Sequence, residues 1–317
     1  MKRKKWMVGF AALALALVAG GCSGSSGSSS PPSATQGTTA SPSSSSQGSI
    51  TITGKLQSEE TILAQMLGQL VEKKLGLTVH YKTSLGGTNL VFQALRNGDA
   101  DLYVEYTGTG LVDILHQPVI HDPKQAYDTV KAQFLSKYQL IWLDPIGFNN
   151  TYSFTMRAED AQKYGIHTVS DLAKHPNQFV LGSEPEFLER ADGLPGAEKT
   201  YPGLRFKATK AMDPGLMYTA IAQKQVDVID AYTTDARIVA EHLQVLQDDK
   251  NFFPPYYAAP LVRQQTLERY PGLKEVLNSL AGKIDDREMA TLNGKVDIEH
   301  QDPAKVAHDW LVAHGLL

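Results

Sequence analysis

The sequence lacks several features that would assign it to a common class of proteins. Its 317 residues include one cysteine, Cys22, so no disulfide within the chain can stabilise the fold. The net charge is −4, and basic and acidic residues are mixed along the chain, which provides no basic face for nucleic acid. Beyond the N-terminal segment, no apolar run approaches the roughly 18 residues of a membrane-spanning helix. The exported part of the chain is therefore predicted to span no membrane and to bind no nucleic acid.

Catalytic and metal-binding motifs are also absent from the sequence. The nine histidines never form an HExxH motif, and neither a GxSxG motif nor a phosphate-binding P-loop occurs. With a single cysteine, no paired Cys/His spacing typical of a metal site exists. We therefore expect no enzymatic activity, no bound metal and no cofactor.

The N-terminus has the pattern of an export signal. The basic segment MKRKKW precedes the apolar segment MVGFAALALALVAG, which is too short to span a bilayer comfortably. Together they predict a signal peptide over residues 1–21. Its end is similar to a bacterial lipobox, except for Ala19, where a larger aliphatic residue is commoner. Cys22 is therefore predicted to be the lipidated N-terminus of the mature protein, with an ordinary cleaved signal as the alternative.

Residues 22–48 are predicted to comprise the lipidated cysteine and a disordered tether. The segment SGSSGSSSPPSATQGTTASPSSSSQG carries no charge and no large apolar residue, so it cannot bury enough surface to offset its chain entropy. A Gly/Ser-rich coil of this length reaches roughly 30 Å. We expect a domain outside the cytoplasm, periplasmic or on the cell surface, held at the membrane by its lipid alone.

Strand and helix patterns alternate from residue 49 onward. A β-branched segment, SITITG, precedes a helix for which Ser58 is the predicted N-cap and Gly76 the end. Further strands and helices alternate up to Tyr106, and the pattern starts afresh in the second half of the chain. The sequence therefore predicts an α/β fold of two lobes joined by two crossings. Lobe 1 is predicted to comprise residues 49–153 and 259–317, and lobe 2 residues 154–258.

Two segments of the chain are near copies, separated by 126 residues (232 − 106). ALRNGDADLYVEYTGT aligns without a gap with AIAQKQVDVIDAYTTD, which places Tyr106 on Tyr232 and Asp101 on Asp227. Each tyrosine follows a strand, and ligands of open α/β sheets bind beyond the carboxyl ends of the strands. We therefore expect both tyrosines to face one ligand between the lobes, and both aspartates to cap the turn before their strand.

Two more tyrosines, Tyr152 and Tyr256, stand at predicted strand ends or crossings. Aromatic faces from two lobes suit a quaternary ammonium, because this cation has no N–H to donate and interacts with ring quadrupoles, at about 0.5–2 kcal/mol each. A metal or a small ammonium would instead require carboxylates or carbonyl oxygens. Packing in the core is the alternative role for each tyrosine.

Five segments in order resemble one family of proteins: GKLQSEETILAQM, GDADLYVEYTGTGL, EFLERADGLPG, VDVIDAYTTDARI and FFPPYYAAPL. They are similar to the glycine betaine/carnitine/choline substrate-binding proteins of ABC importers, and the resemblance covers residues 49–317. It implies a two-lobed periplasmic-binding-protein fold, type II-like, that closes on its ligand by hinge motion. It also implies an ABC permease with a separate ATPase subunit as partners, and we expect the protein to be a monomer.

The resemblance implies roles for seven residues. Those at the family's aromatic-cage positions, here called the tyrosine cage, are Tyr106, Tyr152, Tyr232 and Tyr256. Those at positions that hold the ligand carboxylate are Lys55, Thr109 and Arg190. At one corner of the cage, Tyr257 is an alternative to its neighbour Tyr256.

The identity of the ligand has alternatives. Because choline is a bare cation, two cationic side chains in the cleft, Lys55 and Arg190, favour a betaine with a carboxylate. A binding protein of the same fold for choline only, or for an amino acid or a polyamine, is the alternative. An amino acid would need an acidic partner for its ammonium group, and Asp235 is the candidate.

Overall fold

The computed structural model describes residues 48–317. The predicted signal peptide, Cys22 and all of the predicted tether except Gly48 lie outside these residues. None of the helices in the described range is both long and apolar enough to cross a membrane.

Two five-stranded sheets organise the described residues. The strands are β1 (Ser49–Thr53), β2 (Thr78–Lys82), β3 (Leu102–Tyr106), β4 (Leu140–Trp142), β5 (Tyr152–Arg157), β6 (Val180–Ser183), β7 (Ala208–Ala211), β8 (Val228–Tyr232), β9 (Leu243–Val245) and β10 (Ala258–Arg263). The helices are α1 (Ser58–Leu75), α2 (Thr88–Asn97), α3 (Pro123–Tyr138), α4 (Ala158–Tyr164), α5 (Val169–Leu172), α6 (Leu194–Thr200), α7 (Pro214–Ala222), α8 (Arg237–Ala240), α9 (Gln264–Arg269), α10 (Leu273–Leu277), α11 (Asp286–Asp297) and α12 (Pro303–Ala313). A π-helical turn spans Thr109–Ile114, and a 3₁₀ turn spans Asn278–Leu280.

The two sheets have the same design. The first has the order β2-β1-β3-β10-β4, with β1 parallel to β2 and β3, and β10 antiparallel to β3 and β4. The second has the order β7-β6-β8-β5-β9, with β6 parallel to β7 and β8, and β5 antiparallel to β8 and β9. In each sheet the chain that arrives from the other lobe enters at the fourth position, as β10 or β5. The predicted two-lobed α/β fold is thus confirmed.

The two crossings run side by side. The backbone N–H of Asn150 donates to the carbonyl of Tyr256 at 3.1 Å, and the N–H of Tyr256 donates to the side chain of Asn149 at 2.6 Å. β5 begins at Tyr152 in the second sheet, and β10 begins at Ala258 in the first. Residues 152–153 and 258 therefore lie in the sheet opposite to their predicted lobe, because they pair as the first residues of β5 and β10. We propose residues 149–151 and 255–257 as the lobe boundaries.

Helix α1 illustrates how the sequence directs the fold. The side chains of its apolar face are completely buried, namely Ile62, Leu63, Met66, Leu67, Leu70 and Val71. It ends at Gly76, whose φ of 64° is the left-handed conformation that glycine adopts without strain. The predicted N-cap is wrong by one residue: Gln57 occupies the N-cap position without a side-chain capping bond, and the Ser58 hydroxyl donates to Asp297 of α11 at 2.5 Å. Helices α10, α11 and α12 pack on α1.

The repeated aspartates bond to a neighbouring strand rather than to their own turn. Asp101 accepts the N–H of Thr51 on β1 at 2.8 Å, and Asp227 accepts the N–H of Val180 on β6 at 2.9 Å. Both strands that follow, β3 and β8, end in the tyrosine of the repeat. The carboxyl ends of the parallel strands β3 and β8 therefore place Tyr106 and Tyr232 at the cleft between the lobes.

Candidate functional site

A cavity of about 280 Å³ lies between the lobes. All seven residues of the predicted site line its wall: Lys55, Tyr106, Thr109, Tyr152, Arg190, Tyr232 and Tyr256. Tyr257 is not part of this wall, and its backbone N–H and carbonyl bond to Thr107 instead. Of the two neighbours, Tyr256 is therefore the one that faces the cavity.

The ring of Tyr152 contacts the rings of two other cage tyrosines. Tyr152 and Tyr232 face each other in register on adjacent strands, with ring centroids 4.9 Å apart. The ring of Tyr256 meets that of Tyr152 edge-on, at 5.5 Å and 88°. Tyr106 lines the same cavity from the end of β3 and is only 9 % exposed. Both lobes and the second crossing thus contribute aromatic surface to one space.

Three of the four cage hydroxyls donate to a carboxylate. The bonds run from Tyr106 to Glu59 at 2.6 Å, from Tyr232 to Glu184 at 2.5 Å and from Tyr256 to Asp192 at 2.7 Å. Burial, reinforced by these carboxylates, raises the pKa of each of the three phenols well above its ordinary value. The hydroxyls therefore stay protonated and act as donors, which fixes the orientation of the rings.

Lys55 is already paired with an anion. Its ammonium lies 2.6 Å from Glu105, which is completely buried, and 5.2 Å from the ring centroid of Tyr106. Burial alone would lower the pKa of Lys55, but Glu105 and Glu60 raise it, so the side chain remains charged. An ammonium has three N–H donors, so the pair with Glu105 leaves donors for a ligand.

Arg190 is held by a fork of hydrogen bonds and bridges the lobes. Its Nε and Nη2 donate to the two oxygens of Asp192 at 2.9 and 2.6 Å. Nη2 also lies 3.3 Å from the hydroxyl of Thr109, and Nη1 lies 3.6 Å from Asp113, both in lobe 1. The structure thus brings Arg190 and Thr109, two of the predicted carboxylate-binding residues, into direct contact.

The sequence patterns missed several polar residues of the cavity wall. Glu184 lies directly after β6 and also accepts the side-chain amide of Gln57 from lobe 1 at 2.8 Å. Further missed residues of the wall are Asn150, Glu186 and Asp213. Glu184 follows a strand, as the cage tyrosines Tyr106 and Tyr232 do, so the same reasoning from strand ends would have identified it. Nothing in the sequence placed Gln57 opposite it.

Asp235, the predicted acidic partner for an amino-acid ligand, does not line this cavity. It forms an ion pair with Arg237, with 2.5 Å between Oδ2 and Nη2. An amino acid bound in the cavity would find Glu184 instead.

The fold and the cavity define a class of protein: a two-lobed α/β protein that encloses a small ligand between its lobes. Residues 48–313 match the family model for the substrate-binding domain of the ABC-type glycine betaine transport system. The chain belongs to this family, and the family prediction made from the five segments is confirmed.

Individual relatives span most of the chain. The carnitine transport binding protein OpuCC of Listeria monocytogenes is 39 % identical over 269 residues, or 84 % of this chain and 87 % of the relative. The ergothioneine transport permease/ergothioneine binding protein EgtU of Helicobacter pylori is 38 % identical over 84 % of this chain, which spans about half (48 %) of that longer protein. A crystal structure described as a glycine betaine/carnitine/choline ABC transporter superposes with a TM-score of 0.68 at 38 % identity, covering 84 % of this chain and 99 % of that one.

Proposed function

We propose that this protein captures a quaternary-ammonium osmoprotectant of the glycine betaine type and delivers it to the permease of an ABC importer, which a separate ATPase subunit drives. One observation carries the proposal: four tyrosines from both lobes and a crossing line a single cavity, with Lys55, Arg190 and Thr109 in the same wall. A betaine matches this division, because one end is a bulky cation and the other a carboxylate.

Within the cavity, the tyrosine cage would hold the methylated ammonium. Lys55 and Arg190 would bind the carboxylate through the N–H groups that Glu105 and Asp192 leave available, and Thr109 would add its hydroxyl. Micromolar affinity, about 8 kcal/mol, is within reach of such a set of contacts.

We further propose that the protein acts outside the cytoplasm as a lipid-anchored monomer. The support is the predicted signal peptide over residues 1–21, followed by Cys22 and the uncharged tether. Incorporation of a labelled fatty acid into the wild-type protein, but not into a Cys22→Ser variant, is the expected result. Equal labelling of both proteins would show that Cys22 is not the site of lipidation.

Calorimetric titration with glycine betaine, carnitine, choline and proline tests the ligand. Tight binding of the betaines and weaker binding of choline is the expected order. Binding of choline alone would show that Lys55 and Arg190 serve only their carboxylate partners. Binding of proline alone would show that the site is specific for an amino acid, whose ammonium group Glu184 would bind.

Ergothioneine is a second candidate ligand, favoured by the 38 % identity to EgtU. It is a trimethylammonium betaine that also carries an imidazole-thione ring with N–H donors. Glu184 and Glu186 in the cavity wall are acceptors that glycine betaine itself would not use. A titration in which ergothioneine binds more tightly than glycine betaine would assign the two glutamates to the ring.

A further inference from the structure

The carboxylates behind the cage differ in their charge balance. Asp192 is neutralised by the fork of Arg190, just as Glu105 neutralises Lys55. Glu59 and Glu184 form no ion pair with any residue of the described range 48–317. Lys55 and Arg190 are thus paired with carboxylates, whereas Glu59 and Glu184, which accept from cage hydroxyls, have no ion-pair partner among residues 48–317.

Glu59 is bonded by neutral donors alone. One carboxylate oxygen accepts from Tyr106 and from the side-chain amide of Asn150, at 2.6 and 2.8 Å. The other accepts from the Thr234 hydroxyl and the Asn293 amide, at 2.6 and 2.9 Å. Burial raises the pKa of Glu59, and its four hydrogen bonds act in the opposite direction. Each oxygen has an amide N–H, a group that can only donate and that therefore favours the ionised carboxylate.

Glu184 has a similar environment in lobe 2. Its side-chain oxygens accept from the hydroxyl of Tyr232 and from the amide of Gln57, and its residue is only 6 % exposed. In each lobe, a carboxyl group without an ion-pair partner in the described range thus accepts the hydroxyl of the tyrosine of the repeated segment.

We propose that Glu59 and Glu184 are positioning residues that supply the cage with negative charge through the hydroxyls of Tyr106 and Tyr232. They thereby make the cavity selective for a cation over an uncharged group of the same shape. This inference rests on the proposed function of the cavity as a quaternary-ammonium site.

The physical basis is the low dielectric of a closed, aromatic site. A phenol that donates to a carboxylate becomes more electron-rich, and the face of its ring becomes more attractive to a cation. The carboxylate charge itself would also act on a bound cation, because a charge in a low-dielectric site is screened less than in water.

A test must separate this electrostatic role from simple support of the rings. The ligand pair is glycine betaine and 3,3-dimethylbutanoate, in which a carbon atom replaces the charged nitrogen and the carboxylate is retained. In a Glu184→Gln variant, we expect glycine betaine to bind about tenfold more weakly, while the carbon analogue binds equally well or more tightly. Equal weakening of both ligands would overturn the proposal, because it would show that Glu184 only holds the shape of the site.

Matched variants complete the experiment. Glu59→Gln should shift the ratio of the two affinities in the same direction, and Tyr232→Phe should remove most of the effect of Glu184→Gln in a double-mutant cycle. Asp248→Asn is the control, because Asp248 also accepts a tyrosine hydroxyl, that of Tyr201, but neither residue lines the cavity. If the wild-type protein bound no quaternary ammonium at all, the proposed function would fail rather than this inference.

The pH dependence of binding gives an independent measurement. Burial raises the pKa of Glu184 to about 7. The groups that face it are Tyr232 and Asp230 from β8, Gln57 from lobe 1, Glu186, and the cations Lys55 and Arg190. Because protonation removes the charge, the affinity of the wild-type protein for glycine betaine should fall by up to about tenfold from pH 8 to pH 6. The Glu184→Gln variant should show no such fall, and an unchanged wild-type affinity would overturn the proposal.

Discussion

The two repeated segments are alike where they begin and different where they end. At the beginning, the N–H of each aspartate donates to the neighbouring parallel strand at 2.8 Å, Asp101 to Thr51 and Asp227 to Val180, and each carboxylate accepts the N–H of the same partner. The repeat thus fixes the start of the strand, and with it the place where the tyrosine emerges.

At the end of the segments, Gly108 corresponds to Thr234. A Cβ atom on Gly108 would lie 2.5 Å from the ring of Tyr256, so glycine is required for this cage ring to approach. Thr234 instead carries a hydroxyl that bonds across the cleft to Glu59. The same repeated segment therefore leaves space for a cage ring in lobe 1, and in lobe 2 it forms a hydrogen bond between the two lobes.

Removal of the repeated tyrosines should reveal the largest difference in stability between the two segments. Tyr106→Ala empties a buried site and takes one donor from Glu59, so we expect the free energy of unfolding to fall by about 3–5 kcal/mol. Tyr232 is partly exposed, and Tyr232→Ala should lower it by only about 1–2 kcal/mol. Urea denaturation measures both, and calorimetry should show weaker glycine betaine binding in each.

Tyr164→Ala is the matched control for affinity, because Tyr164 is half-buried and lies outside the cavity. It should leave glycine betaine binding unchanged. If Tyr106→Ala and Tyr232→Ala lowered the free energy of unfolding equally, the four hydrogen bonds to Glu59 would add no stability in lobe 1.

The repeated aspartates should differ by a smaller amount. Asp227 also pairs with Arg157, which is only 9 % exposed, at 2.8 Å, whereas Asp101 has the hydroxyl of Thr266 as its second partner. We expect Asp227→Ala to lower the free energy of unfolding by about 3 kcal/mol and Asp101→Ala by about 2 kcal/mol. A larger loss at Asp101, measured by urea denaturation, would contradict the importance of the buried arginine.

The repeat also shows what could be predicted from the sequence. Strand exits are local features, so the pattern located Tyr106 and Tyr232 and the family segments added the rest of the cage. The side chains that connect the lobes were not predictable in this way. Gln57 and Glu184 are 127 residues apart in the chain, and only the folded arrangement makes them partners. Likewise, the donors of Glu59 come from four separate segments.

The ion pairs of Lys55 and Arg190 were also not predicted from the sequence. The sequence assigns both residues to the ligand carboxylate, whereas in the structure each already forms an ion pair, with Glu105 and Asp192 respectively. Asp192 is two residues from Arg190, a spacing at which contact depends on the local turn. A buried charge needs a partner, so a basic residue predicted in a closed cavity implies an acidic one nearby.

The smallest expected difference between the lobes concerns pH. Burial raises the pKa of Glu60 in lobe 1 to about 8 and that of Glu184 in lobe 2 to about 7. Both values exceed those of an unfolded chain, so the folded protein holds these protons more tightly. The resulting stabilisation is fully present below the unfolded pKa and is lost as the pH rises through the folded pKa, at most about 1.4 kcal/mol per pH unit for each group.

Between pH 7 and pH 8, Glu60 is protonated to a greater extent than Glu184, whose pKa lies at the lower end of this window. Glu60→Gln should therefore flatten the fall in unfolding free energy over this window more than Glu184→Gln does. Urea denaturation at pH 7, 7.5 and 8 measures both slopes, in a range above the ordinary pKa of histidine. Equal slopes in the two variants would show that the two lobes bury their carboxyl groups in equivalent environments.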